Sequence, residues 1–154
     1  MAKIILCQGI QGSGKSTWAK AWANEDPEHR VRWNNDDIRN MLGKYWVTSR
    51  EPIVTCFRKT FLNEAMNKGY DCVIDDMNLN PKTIQFYKGF VEDFNALMKQ
   101  NHYQIEFKQF NTPLEICIER DSKREHPIGA DVITETYNRY KDILKSWNES
   151  NKNN

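Results

Sequence analysis

The segment Gly9-Ile10-Gln11-Gly12-Ser13-Gly14-Lys15-Ser16 fills the pattern G-x-x-x-x-G-K-[ST] without a gap, and its flanks limit the fold more than any other feature. Ile4-Ile5-Leu6-Cys7 precedes it, a short apolar run that suits a buried strand. The alanine-rich stretch 16–23 follows and can form a helix. Strand, glycine loop and helix together are the setting in which this pattern wraps phosphates. The glycines let successive N–H groups point inward at anionic oxygens. The helix start adds the positive end of its dipole. A glycine turn that binds nothing is the competing reading, and the flanks weigh against it. Gly9, Gly12, Ser13, Gly14, Lys15, Ser16 and Thr17 therefore form a candidate phosphate cradle. In it Lys15 reaches the β- and γ-phosphates and Ser16 holds Mg²⁺.

The rest of the chain alternates short apolar runs with longer periodic ones. Strands are expected at 3–8, 31–33, 72–74 and 103–110. Helices are expected at 16–24, 36–42, 51–67, 81–100, 113–122 and 131–147. In the last of these Ile133, Tyr137, Tyr140, Leu144 and Trp147 make one stripe. Strands separated by helices imply an α/β fold of the P-loop NTPase kind. It would be a mostly parallel sheet of four or five strands with helices on both faces. The carboxyl ends of the strands then converge on one crevice. That crevice would collect the glycine loop, Asn34-Asn35-Asp36-Asp37 and Asp75-Asp76.

A chain of 154 residues defaults to one domain, here 1–147, with the polar tail 148–154 expected to fray. Its 22 basic and 21 acidic residues nearly cancel, which argues against a broad cationic face for long duplexes. A small acceptor, or only the end of a nucleic acid, stays open. Cys7, Cys56, Cys72 and Cys117 sit in apolar stretches without a C-x-x-C pair. They read as reduced, buried thiols of a cytoplasmic protein. His29, His102 and His126 lack zinc-ligand spacing. No apolar run approaches transmembrane length and no signal peptide precedes the first strand, so no membrane association is expected.

Asp36 and Arg39 lie three apart and share a helix face. Asp36 can take the proton of an acceptor hydroxyl as it attacks the γ-phosphate of ATP. Arg39 can grip a phosphate of the acceptor. A helix cap by Asp36 or Asp37 with a surface ion pair is the plainer alternative. Asp75 and Asp76 follow a strand, where phosphate-loop enzymes keep the acid that helps hold Mg²⁺. Which of the two does so is open, and one of them can instead cap the next turn. Arg120, Lys123 and Arg124 end a helix ahead of Pro127 and Gly129. They suit either a mobile lid of arginines over ATP or a solvated basic helix end. Lys44, Tyr45, Trp46, Arg50, Arg58 and Lys59 interleave bases and aromatics near the acceptor side, a weak signal for stacking a terminal base.

Together these residues resemble the kinase domain of the phage polynucleotide 5′-kinase/3′-phosphatase family. The likeness rests on Lys3-Ile4-Ile5-Leu6, the run Gly12 through Ala19, Asp36-Asp37 with Arg39, Asp76 through Pro81, and Ser122-Lys123-Arg124. It implies ATP-dependent transfer of the γ-phosphate to the 5′-hydroxyl end of DNA or RNA. Lys15 and Ser16 would bind ATP, Asp36 would be the general base and Arg39 would contact the acceptor. Arg124 would contact the ATP phosphates, Arg120 would belong to the lid, and Asp76 and Met77 would lie on the acceptor side. Met77 stands where the phage enzymes have a hydroxyl residue, and Asn35 where they have a basic one. No D-x-D-G-T motif is present, so 3′-phosphatase activity is not expected and a separate phosphatase or ligase partner has a place. The phage enzymes are tetrameric, which makes a homo-oligomer an open expectation. The setting implied is bacterial or phage-infected cytoplasm. Two other classes share the phosphate loop: a kinase for a small metabolite or nucleoside, and a non-catalytic ATP-binding module.

Overall fold

The computed structural model describes residues 1–99 and 102–152. Among them four strands form one parallel sheet: β1 (Ala2–Gln8), β2 (Arg30–Trp33), β3 (Asp71–Ile74) and β4 (Tyr103–Gln109). Their spatial order is β2-β3-β1-β4. Of the expected four or five strands, four are present. β1 is inside the sheet, with Ile4 opposite Cys72 and Ile105, and Leu6 opposite Ile74 and Phe107. Residues 4–8 are all buried, as a strand covered on both faces requires.

Alternation along β1 divides the core. Ile4 and Leu6 pack with Leu62, Ala65 and Met66 of α3 (Glu51–Asn67) and with Tyr87, Val91 and Phe94 of α4 (Pro81–Met98). Ile5 and Cys7 face the other way, onto Ala19 of α1 (Lys15–Glu25), flanked by Trp18 and Trp22. α2 (Asn35–Met41) follows β2 and stops at Gly43, whose φ of 108° only glycine adopts readily. A third cluster joins Ile10 and Leu79 to Cys117 of α5 (Leu114–Ser122), Ile133 of α6 (Ala130–Arg139), and Leu144 and Trp147 of α7 (Lys141–Lys152). Because Ile10 belongs to the glycine loop, that cluster anchors the loop to the helices that follow β4.

Several expectations change. The helix expected at 131–147 is two helices, broken at Tyr140, where φ is −109° and ψ is 15°. The aromatic stripe nevertheless runs on into the same cluster. α7 continues to Lys152, over part of the segment expected to fray. There the Ser146 and Ser150 hydroxyls donate back to earlier carbonyls and Asn111 Nδ2 donates to Asn148 Oδ1. Residues 153 and 154 lie outside the described ones. α4 ends at Met98, and Gln100, placed in that helix by its periodicity, also lies outside them. Cys56 is exposed rather than buried, because it follows the buried Val54 by two positions and so turns to the outer face of α3. Cys7, Cys72 and Cys117 are buried, and all four thiols are free. Among the described residues no helix is long and apolar enough to cross a membrane.

Candidate active site

The glycine loop has the closed geometry its sequence calls for. Gly12 and Gly14 take φ of 77° and 101°, and Gly14 caps the start of α1. The Lys15 ammonium donates to Ile10 O at 2.7 Å and lies 3.4 Å from Ser13 Oγ. Burial lowers the Lys15 pKa from its ordinary value, so the charge sits where an incoming anion regains for it what desolvation removed. A Cβ on Gly12 would collide with the backbone carbonyl of Cys117. Gly12→Ala is therefore expected to destabilise the fold by about 2–5 kcal/mol, from left-handed strain and overpacking together. Gly89→Ala is the control. It lies inside α4 with open space around it and should raise stability by about 0.5–1 kcal/mol. Urea unfolding of both variants compares the two signs.

Asp75 joins the first turn of α1 to β2. Ser16 Oγ donates to Asp75 Oδ1 at 3.2 Å. Arg32, on the neighbouring strand β2, donates to Asp75 Oδ2 from Nε at 2.8 Å and from a terminal nitrogen at 2.5 Å. Its other terminal nitrogen reaches Asp37 Oδ2 at 2.6 Å. Burial works against the Arg32 charge, but the hydrogen bonds to Asp37 and Asp75 outweigh it and hold the guanidinium protonated. Hydroxyl and carboxylate oxygens are the donors that suit Mg²⁺, which uses few protein ligands and completes its shell with phosphates and water. Ser16 and Asp75 therefore fit that ion. Among the described residues no group of three or more His, Cys, Asp or Glu side chains could hold a metal by itself.

α2 carries Asp36 and Arg39. Asn34, not Asp36 or Asp37, caps it: its Oδ1 accepts from the Asp37 N–H at 2.8 Å, and its amide donates to Asp75 O. Asp36 Oδ1 accepts from Arg39 at 2.7 Å and from the Tyr45 hydroxyl at 2.9 Å. No hydrogen bond among the described residues falls on Asp36 Oδ2. Arg39 also pairs with Glu51 of α3, Nε to Oε1 at 2.8 Å and a terminal nitrogen to Oε2 at 2.9 Å, and lies over the Trp46 ring at 5.0 Å. These bonds raise the Arg39 pKa, and the Arg39 bond lowers that of Glu51. Tyr45 is pushed up to about 12 by burial and the Asp36 charge, so it stays a donor.

Asp76 follows Asp75 but faces different partners. Its Oδ1 accepts from the Asn35 N–H at 3.0 Å, and its Oδ2 is buried with no partner. Neither aspartate caps the next helix; Asn80 does, accepting from the Lys82 N–H. Burial, reinforced by the Asp36 and Asp75 charges, raises the Asp76 pKa from 3.8 to about 7. A carboxyl with a raised folded-state pKa stabilises the fold most while both states are protonated. That stability is lost as pH rises between about 4 and about 7. Asp76→Asn should flatten this decline, read as urea-unfolding free energies at pH 5 and pH 8. Met77 lends its backbone carbonyl to the Gly9 N–H at 3.2 Å, and its side chain packs against the third cluster. Asn78, at φ 45°, donates from one amide nitrogen to the carbonyls of Cys7, Ile74 and Asp76.

The basic end of α5 approaches from the other side. Arg120 donates to Gly12 O at 3.4 Å, so it touches the loop directly. Arg124 lies 3.8 Å from Asp121 and is half exposed. Asp121 is buried and accepts from the Ile128 and Gly129 N–H groups at 3.1 and 2.9 Å, which pins the loop after α5. Thr17 sits in the first turn of α1 behind the cradle. Asn34 and Tyr45 lie in stretches the sequence pointed to, whereas Arg32 and Glu51 were not singled out by the motifs. An arginine on a half-buried edge strand was the one signal available for Arg32, since a charge packed there gains from a carboxylate partner.

A phosphate loop at the carboxyl edge of a parallel sheet, facing a helix with a carboxylate–guanidinium pair, defines the fold of the P-loop kinases. The family pattern described as AAA domain matches residues 4–146, and the chain belongs to that family. It is 25% identical over 151 residues to a putative bifunctional polynucleotide kinase/RNA ligase of Autographa californica nuclear polyhedrosis virus, covering 90% of this chain and 21% of that protein. It is 24% identical over 143 residues to the L-seryl-tRNA(Sec) kinase of Methanococcus maripaludis, covering 89% and 52%. A chain in the solved Pnkp1/Rnl/Hen1 RNA repair complex superposes with a TM-score of 0.77 at 22% identity, covering 94% of this chain and 46% of that one. The chain spans about half or less of the curated relatives it matches.

Proposed function

We propose that this chain is an ATP-dependent kinase that transfers the γ-phosphate of ATP to the 5′-hydroxyl end of DNA or RNA. The observation that carries the reading is the bridge through Asp75. Ser16 on the nucleotide side and Arg32 on the acceptor side hold its two oxygens, and Arg32 reaches on to Asp37, beside Asp36. Lys15, the loop N–H groups and Arg120 would hold the ATP phosphates, and Arg124 would join them. Mg²⁺, held by Ser16 with Asp75, would neutralise charge on the phosphate oxygens. Asp36 Oδ2 takes the proton of the attacking hydroxyl while Arg39 and Tyr45 hold Oδ1. Arg39 orients the acceptor, and Asp76 fixes α2 through the Asn35 N–H. The viral relative is a putative bifunctional polynucleotide kinase/RNA ligase, which supports the acceptor class and a ligase step supplied by a partner.

The test supplies γ-labelled ATP, Mg²⁺ and 5′-hydroxyl oligonucleotides of DNA and RNA. Labelled 5′ ends are expected. The archaeal relative favours a second reading, a kinase for another hydroxyl on a tRNA or a small acceptor. Label on seryl-tRNA or a nucleoside, with oligonucleotides inert, would select it.

A further inference from the structure

β4 forms one edge of the sheet, and among the described residues only β1 pairs with it. The hydrogen bonds at its two ends set which backbone groups face outward. His102 O accepts from the Ala2 N–H, and the Phe110 N–H donates to Gln8 O. Even-numbered residues therefore turn their backbone groups toward β1, and the odd-numbered Tyr103, Ile105, Phe107 and Gln109 turn theirs away from the sheet. The Asn95 side chain closes this edge at Tyr103: its Oδ1 accepts from the Tyr103 N–H at 3.0 Å and its Nδ2 donates to Tyr103 O at 2.8 Å. Among the described residues no hydrogen bond reaches the outward N–H and C=O groups of Ile105, Phe107 and Gln109.

Such a bare edge is a template for another strand, and a lysine is one of its usual guards. The side chains of β4 decide which strand the edge suits. Glu106 and Lys108 stand opposite Ile5 and Cys7, so both share the face covered by α1. Phe107 stands opposite Leu6 on the other face and is 43% exposed. Lys108 has no ion pair among the described residues; its ammonium rests over the Trp18 and Phe110 rings at 5.4 and 6.0 Å. The Glu106 carboxylate lies 3.4 Å from Lys3 and keeps 42% of its side chain exposed.

Two copies of this edge pair antiparallel about a twofold axis, and the position of the axis sets every contact. An axis at Glu106 sets that carboxylate against itself, and an axis at Lys108 does the same to the ammonium. An axis at Ile105 runs the pairing into Tyr103, which Asn95 already holds. An axis at Phe107 avoids all three. Phe107 then meets its own copy, and Ile105 meets Gln109, each pair exchanging two N–H···O=C bonds from groups that already point outward. Glu106 and Lys108 fall opposite one another at the non-hydrogen-bonded positions, where cross-strand side chains are closest.

We propose that this chain self-associates through β4, antiparallel about a twofold axis at Phe107, with Glu106 of each copy facing Lys108 of the other. The two four-stranded sheets become continuous. Because the paired strands run antiparallel, the carboxyl edges that carry the glycine loops point opposite ways, and both crevices stay open. The interface stands whichever acceptor the site takes.

The experiment follows the full chain by sedimentation velocity from low to high micromolar concentration. Wild type should pass from monomer to dimer. Glu106→Lys and Lys108→Glu each turn two attractive contacts per dimer into two repulsive ones, and each should raise the dimer Kd about tenfold or more. The double variant Glu106→Lys/Lys108→Glu exchanges the charges and should return to within about threefold of wild type. An equimolar mixture of the two single variants should form a mixed dimer at concentrations where neither dimerises alone. Phe107→Pro removes an outward N–H, spares the bonds to β1 and should abolish the dimer. Should that variant fail to fold, shown by circular dichroism, the charge variants still decide. A wild type that sediments as a monomer throughout overturns the proposal. A dimer that both single variants leave intact, or that the double variant fails to restore, also overturns it, because that dimer uses another surface.

Discussion

Asp36→Asn is expected to lower the rate constant for transfer by about 10²–10⁴-fold and to leave ATP affinity unchanged. The two halves of that expectation come from different parts of the site. The rate falls because asparagine cannot take up the acceptor's proton. The Asp36 donors, Arg39 and Tyr45, both fall on Oδ1, and asparagine keeps a carbonyl oxygen there. α2 should therefore stay in place, and the lost base is separated from a lost fold. ATP affinity holds because Lys15, Ser13 and the loop make no contact with Asp36. Tyr45→Phe tests the same geometry more gently. It retains the base and one of its two donors, so a fall of less than about tenfold is expected. Single-turnover transfer, with ATP binding followed separately, reads both variants. If Asp36→Asn lowered ATP binding and left the chemical step intact, Asp36 would belong to the nucleotide side and the base would lie elsewhere.

What the sequence revealed follows the range of the interactions. The strand, glycine loop and helix were legible because the whole motif lies within about two dozen neighbouring residues and its φ requirements name glycine at particular positions. The Asp36–Arg39 pair was legible because i,i+3 spacing on a helix is a local rule. Arg32 and Asp75 are 43 positions apart, and they meet only because β2 lies beside β3 in the order β2-β3-β1-β4. Nothing local fixes that order. Glu51 likewise reaches Arg39 across a loop and a helix boundary, so Arg39 read as an uncommitted acceptor ligand although most of its fork is engaged. The caps were misassigned for a related reason. Asn34 and Asn80 compete with neighbouring aspartates for the same role, and the turn geometry that decides between them depends on where each strand ends.

The Arg32–Asp75 pair carries the largest expected effect on stability. Asp75 is 1% exposed, and Arg32 contributes two of the hydrogen bonds to its Oδ2. Arg32→Ala strands a buried carboxylate, a change that costs about 3–5 kcal/mol. Asp37→Asn removes the other arm of the same arginine, but Asp37 is largely exposed, and that loss should stay under about 1 kcal/mol. The contrast matters because both carboxylates lie at comparable hydrogen-bond distances from Arg32. Burial, rather than distance, is what separates them. Arg32→Met with Asp75→Asn should lose less than the two single variants added together, with a coupling of about 1–3 kcal/mol, since neither charge is then left alone. Urea unfolding of the four proteins gives the cycle. Equal losses for Arg32→Ala and Asp37→Asn would place the arginine's main role in tying down α2. In Arg32→Ala the half-saturating Mg²⁺ concentration for transfer should also rise, because Asp75 would no longer be held against Ser16.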